Sequence, residues 1–250
     1  MKTIFITVSR GGIIRNIFRT GVVSRLLDAG FRVVALTPYH DMPELFSDFA
    51  HENLILEQLH WDQRERFRAV FKELYKGALF NSSVYARYRY SIGTPQEPNK
   101  FFFPLRMIFF APLRYVPGAI RLIRELHSRV NPLEAHDYLF LKYRPDLVFN
   151  TAAGGDCGVL KSAKRFGVKT VDMPKTWDNV SQALFHTKAD FLIVWNEFMR
   201  EKARELQGYA DNEIITVGIP QFDFYVRKDG LLSREEFCKK HGFDPNKKII

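Results

Sequence analysis

The sequence predicts an α/β fold, a doubly wound parallel sheet of about seven strands with helices on its faces. Three observations point to it. Residues 168 to 223 hold three short apolar, β-branched runs, Val168–Met173, Ala189–Trp195 and Glu213–Val217, separated by segments with helical spacing. The first 60 residues show the same β-α-β-α-β alternation, which favours a parallel sheet covered by helices. Each run also ends in polar, turn-forming or aromatic residues, the end of an open parallel sheet where ligands bind.

In chain order, Lys2 to Val8 is a buried first strand, and Ser9-Arg10-Gly11-Gly12 turns sharply into a helix expected over Ile13–Ala29, with Gly30 as C-cap. Arg32–Thr37 is the second strand, stopped by Pro38. Asp41 is placed to cap a short helix through Phe49, and Asn53–Leu59 is the third strand. A charged helix is expected over 62–79. The stretch from Tyr85 to Val116 carries nine aromatics and five Lys/Arg. Its four prolines argue against one continuous helix. Helical spacing resumes over Gly118–Val130. Asp146–Thr151 is the fourth strand, followed by Ala152-Ala153-Gly154-Gly155-Asp156 and a helix through Phe166 that Gly167 ends. Strands five to seven are Val168–Met173, Phe191–Trp195 and Ile214–Val217. Ser233–Gly242 reads as a helix with Glu236 at the capping-box position, and Asp244–Ile250 as a turn entering a strand. The expected division is one domain over 1–226, with an insertion at about 61–145. Residues 227–250 then form a linker and the start of a second domain that the chain does not contain.

Composition narrows the function. With 46% hydrophobic residues the 250-residue chain can bury a sizeable core. Its two cysteines, Cys157 and Cys238, are too far apart in sequence for a zinc cluster or a disulfide framework. No metal site is expected. The apolar start is short and interrupted by Arg10, unlike a secretory signal. The most apolar region, 101–116, is cut by prolines and arginines and does not suit a spanning helix. Cytoplasm is the expected compartment, at the inner face of the cell membrane if the insertion binds lipid. Residues 61–145 hold 15 Lys/Arg against 7 Asp/Glu, so nearly all of the net charge of +9 lies there. An anionic partner would meet this middle region. Its aromatics fit a packed core, a surface seated in anionic lipid headgroups or, least favoured, a stacking platform for single-stranded nucleic acid.

The glycine turn has two readings as well. A dinucleotide fingerprint would need G-x-G-x-x-G and an acid ending the second strand. The chain has only Gly11-Gly12 and no such acid, so no nicotinamide or flavin cofactor is expected. The pair either lets the backbone turn sharply or turns its amides toward an anion, with Arg10, Arg15 and Arg19 nearby.

Three segments carry a resemblance: Trp177-Asp178-Asn179 after a strand, Ile193-Val194-Trp195-Asn196-Glu197, and Val217-Gly218-Ile219-Pro220-Gln221-Phe222-Asp223 before a linker. In order and spacing they resemble the amino-terminal half of GT-B glycosyltransferases. The likeness is greatest near bacterial surface-polysaccharide enzymes, the CDP-glycerol glycerophosphotransferases and the UDP-N-acetylglucosamine 2-epimerase-like group. One departure is Gln221, where such motifs often carry arginine. The resemblance implies two Rossmann-like domains, with the carbohydrate or lipid-linked acceptor on the first and the nucleotide-sugar donor mainly on the second. No cofactor beyond that donor is implied. It also implies transfer of a sugar or polyol phosphate to an acceptor hydroxyl, with Asp178, Asp156 or Glu197 as base. Asp178 is favoured, although an Asp before a helical run also serves as an N-cap. Arg10, Gly11, Gly12, Arg15, Trp177, Asn179, Asn196, Gln221 and Asp223 are the candidate substrate-binding residues. A nucleotide-sugar epimerase of the same architecture, or a non-catalytic membrane- or nucleic-acid-binding module, are the competing expectations.

Overall fold

The computed structural model describes residues 1–60, 66–90, 108–153, 157–182, 184–227 and 231–249. Seven strands form one all-parallel sheet: β1 (Thr3–Thr7), β2 (Arg32–Thr37), β3 (Leu54–Gln58), β4 (Leu147–Asn150), β5 (Lys169–Asp172), β6 (Phe191–Val194) and β7 (Ile214–Thr216). Their order is β3-β2-β1-β4-β5-β6-β7. The chain thus builds outward in one direction from β1, then returns to the other side of β1 with β4. The strand order reverses between β1 and β4, which makes a crevice at their carboxyl ends. All seven expected strands are present, each within a residue of its expected limits.

Two-residue periodicity divides the core. Ile4, Ile6 and Val8 of β1, with Val33 and Ala35 of β2, pack on Ile13, Ile17, Phe18, Val23 and Leu27. Phe5, Val34 and Leu36 point to the other face, against Leu139, Phe140, Val159 and Leu160. The helices supplying those last four are α6 (Asp137–Tyr143) and α7 (Cys157–Arg165), following α1 (Gly11–Ile13), α2 (Val22–Asp28), α3 (Arg68–Ala78), α4 (Ser82–Tyr90) and α5 (Ala119–Val130). The sequence pattern did not show α6. It ties the far edge of the sheet as well: Lys142 Nζ and Tyr143 OH both donate to Glu57 at 2.7 and 2.5 Å. Beyond β5 come α8 (Asn179–Gln182), α9 (Glu197–Gln207), α10 (Asp223–Arg227) and α11 (Arg234–His241).

The described part of the insertion has its own core. Phe71, Tyr75 and Leu79 of the α3 region, Val84 of α4 and Ile123 of α5 close over Leu184 and Leu206. Gly77 allows the close approach: a Cβ there would lie 2.3 Å from the Phe110 carbonyl oxygen. No helix among the described residues is long and apolar enough to cross a membrane.

Three expectations need correction. The helix expected over Ile13–Ala29 is broken. Ile14–Phe18 is a wider π turn, with Arg19 N donating to Ile14 O at 3.4 Å. Thr20 Oγ1 then donates to the Asn16 and Ile17 carbonyls, and Gly21 at φ +83° takes the left-handed conformation before α2. Asp41 does not cap the following segment, a 3₁₀ helix over Pro43–Phe49 whose N-cap is Met42. Finally, residues 244–249 form no strand. Arg234 folds them back onto α11 by donating to Pro245 O and Lys247 O at 2.8 and 2.5 Å. The Ser233–Glu236 capping box of that helix is present.

Candidate functional site

The crevice at the strand reversal is lined from five directions. Ile13, Asn16 and Ile17 come from the turn after β1 and its π segment, and Thr151 from the end of β4. Met173, Pro174 and Lys175 follow β5, Trp195 follows β6, and Ile219, Pro220 and Gln221 follow β7. A π turn is common near functional sites, and here it packs on the Pro220–Phe222 turn.

Beneath the crevice runs a buried polar chain across three strands. Thr7 Oγ1 donates to Asn150 Oδ1 at 2.7 Å, and Asn150 Nδ2 donates to Asp172 Oδ1 at 2.5 Å. Thr151 N reaches Thr7 Oγ1 at 3.1 Å, and Thr151 Oγ1 donates to the Thr7 carbonyl. Thr7, Asn150 and Asp172 are fully buried. Each partner fixes the next, so the floor is rigid where two strands diverge.

The strand-end turns set the walls. Asn179 Oδ1 accepts the amides of Lys175 and Thr176 at 3.1 and 3.2 Å, closing the turn after β5. Within it Asp178 is half-buried and accepts the Thr176 hydroxyl on its carboxylate. The Asp178 carbonyl receives the amides of Ser181 and Gln182, so its backbone begins α8. Trp177 beside it is 60% exposed. Asn196 caps α9, accepting Met199 N on Oδ1 at 2.9 Å. Glu197 is drawn away toward Thr216 Oγ1 at 3.1 Å and Arg200 at 4.0 Å.

Of the residues expected from sequence, the crevice itself includes Gln221. Arg10, Gly11, Gly12 and Arg15 lie on the β1 turn, exposed. Both glycines have open space where a Cβ would stand, so packing against the described residues does not require them. Arg15 Nε donates to Asn16 Oδ1 at 3.2 Å, next to the crevice. Asp223 opens α10 on the exposed side of the Pro220–Phe222 turn. Asp156 lies outside the described residues, as does most of the aromatic stretch 91–107.

Asn16, Thr151 and Lys175 were missed. Asn16 sits in what reads as a plain amphipathic helix, and Thr151 as the last residue of a strand. Trp195 is not among the candidate residues either. It is half-buried, lines the crevice, and its Nε1 has no hydrogen-bond partner among the described residues. Ser9 Oγ, at the end of β1, also lacks one. Buried polar groups are rarely left unpaired, and of the two only Trp195 lines the crevice.

Among the described residues the lining offers two carboxamides, a hydroxyl, an indole N–H and one ammonium, and no carboxylate. Such a set can both donate hydrogen bonds and accept them. The enclosed space is about 20 Å³, enough for one water. Trp177 and Asp178 follow Lys175 of its wall by two and three residues in sequence. Among the described residues no group of three or more His, Cys, Asp or Glu could hold a metal ion.

No family model matches the chain, and no curated protein does. Solved structures do. A glycosyltransferase from Rickettsia africae ESF-5 superposes with a TM-score of 0.51 at 11% identity, over 98% of this chain and 50% of that one. A UDP-GlcNAc 2-epimerase from Neisseria meningitidis, bound to UDP-GlcNAc, gives 0.50 at 9% identity, over 99% and 55%. The chain spans about half the length of these proteins. At such identities the likeness is one of backbone, and it agrees with the strand order: the chain has a Rossmann-like fold of the GT-B type.

Proposed function

We propose that this chain is the acceptor-side domain of a transferase that moves a nucleotide-activated sugar, or a polyol phosphate, to an acceptor hydroxyl. The products would be bacterial surface polysaccharide or glycolipid. The observation that carries the reading is the crevice at the strand reversal, lined by mostly neutral hydrogen-bonding groups, with Lys175 as its one cation and Trp195 Nε1 unpartnered among the described residues. An acceptor hydroxyl needs such groups for orientation and a carboxylate at the rim to take its proton. Asp178 suits that role. It is three residues past Lys175 of the crevice wall, half-buried, with Trp177 beside it as a platform for a sugar ring. Glu197 is engaged by Thr216 and Arg200 and is the weaker candidate. Charge on the departing phosphate is then met by a second, nucleotide-binding domain, whose helix N-termini would hold the diphosphate.

The test is Asp178→Asn, assayed for transfer with the nucleotide-binding half present. Loss of a positioned base lowers the rate by about 10²–10⁴-fold, with the melting temperature unchanged. Full activity with earlier melting makes Asp178 a structural turn residue and ends the assignment. Residues 1–250 alone are expected to fold, bind acceptor weakly and show no turnover. An epimerised nucleotide sugar formed without acceptor sinks the transferase reading in favour of an epimerase.

A second reading concerns location. Ile108, Phe109, Tyr115 and Val116 of the insertion are 69%, 72%, 81% and 52% exposed. Such a strip beside Arg114 suits reversible attachment to an anionic membrane face. Co-sedimentation that ignores both lipid charge and salt counts against it.

A further inference from the structure

The sheet carries a second concavity at its opposite end. Lys164 closes α7 just before β5, Thr187 and Lys188 precede β6, and Gly208 ends α9 before β7. All four line one cavity at the amino ends of these strands. Its facing wall is α5 and the segment Leu113–Gly118 that leads into it. The space is about 750 Å³, within the roughly 300–1,000 Å³ usual for small-molecule sites.

Its charge is one-sided. Arg114, Arg121, Arg124, Lys164 and Lys188 line it against a single carboxylate, Glu125. That carboxylate is taken by Arg129 at 3.1 Å. Two of the cations are neutralised from outside: Arg114 pairs with Glu205 at 3.3 Å and Lys188 with Glu213 at 2.5 Å. The other three have no acid within ion-pair distance among the described residues. Arg124 is fixed by neutral oxygens, donating to Phe185 O, Gln207 O and Gln207 Oε1 at 2.8, 3.0 and 3.2 Å. Arg121 is exposed and Lys164 reaches solvent at the cavity edge. Leu113, Tyr115, Val116 and Ile120 supply an apolar side.

We propose that this cavity binds a phosphate-bearing anion between Arg121, Arg124 and Lys164, with any organic part against the Leu113–Ile120 wall. Three unneutralised cations brought together in one concavity repel one another, and a multivalent oxyanion removes that cost. Protein surroundings that strip water from Lys164, with Arg124 and Lys188 adding repulsion, hold its ammonium pKa below the usual lysine value despite the attraction of Asp190. An anion would reverse that. The site does not rest on the transferase reading, because it lies at the other end of the strands and uses none of the crevice residues.

Inorganic pyrophosphate, titrated by calorimetry, is the probe. Arg121→Ala and Lys164→Ala should each weaken binding about tenfold or more. Arg25→Ala, an exposed residue of α2 that does not line the cavity, is the charge-matched control and should change binding little. A second arm distinguishes sources: flotation with phosphatidylcholine vesicles, with and without phosphatidylglycerol. Vesicle binding that needs Arg121 and Lys164 and is displaced by pyrophosphate assigns the phosphate to a lipid headgroup. Pyrophosphate binding without it assigns a soluble ligand. If pyrophosphate does not bind, or the control weakens it as much as the two variants, the proposal is overturned.

Discussion

The two ends of the same sheet are built on opposite plans. The carboxyl end is tight: about 20 Å³ over a buried chain of neutral side chains and Asp172, lined by turns that each follow a strand. The amino end is open, about 750 Å³, rich in arginine and lysine, and exists only because α5 leans over strand starts that would otherwise face water. The difference shows where each site gets its rigidity. At the carboxyl end the sheet itself holds the polar groups. At the amino end a separate helical layer must stay docked, and the satellite core around Phe71, Tyr75 and Ile123 does that.

This contrast makes predictions that can break it. The largest effect should come from the floor of the crevice. Asn150→Ala leaves the Thr7 hydroxyl without its acceptor and one oxygen of buried Asp172 without its donor, at a cost of about 2–4 kcal/mol in urea unfolding. Because strands β1, β4 and β5 share that chain, the loss should appear in the global transition. A loss below about 0.5 kcal/mol, the size of an ordinary surface change, would mean that the network does not hold the sheet.

Gly77→Ala should cost somewhat less, about 1–3 kcal/mol, the usual range for overpacking. Its Cβ meets the Phe110 backbone, which cannot swing aside as a side-chain tip could. The damage should be local. Amide exchange should speed up in α3 and α5 while β1 and β4 keep their protection, and pyrophosphate binding should fall. Uniform loss of protection across the sheet would show that insertion and sheet unfold as one unit.

The effect that vanishes at neutral pH, and is the smallest there, is a pH dependence seated in the insertion core. His127 is fully buried against Phe71 and Tyr75, with ring centroids at 4.7 and 5.5 Å. Burial, with Lys161 and His186 nearby, lowers its pKa to about 3. The unfolded chain titrates near the ordinary 6.5. Between those values the unfolded state binds the proton and the folded state does not. Stability is therefore full above about pH 6.5 and declines as pH falls toward 3, by up to about 1.4 kcal/mol per pH unit. His127→Gln, which keeps hydrogen-bonding capacity without the titration, should flatten the acid limb of melting temperature against pH. An unchanged limb would assign it to other groups.

Much of the fold was legible in the residues. Runs such as Arg32–Thr37 and Phe191–Val194 are short, apolar and bounded by turn formers, so local pattern fixes them as strands. Gly30 and Gly167 stood out as helix ends for the same reason. The resemblance drawn from the motifs after β5, β6 and β7 agrees in fold with the solved structures. Three elements escaped that logic. The helix after β1 breaks because Thr20 takes up its carbonyls and Gly21 reverses handedness, a competition that apolar spacing does not register. The seven residues of α6 are too few for a clear helical period. The tail folds back on α11 because Arg234 captures its carbonyls.

The sequence by itself determined the parallel α/β class, the strands and the turns that follow them, because strand and helix periods and turn chemistry act over a few neighbouring residues. Only the tertiary structure decided which turns meet. Asn16 and Gln221 line one crevice from opposite ends of the chain, and Arg124 and Lys164 line one cavity from different helices. Such shared linings depend on the order of strands in the sheet and on how the insertion docks. Both are set by packing between faces distant in sequence, about which a local period carries no information.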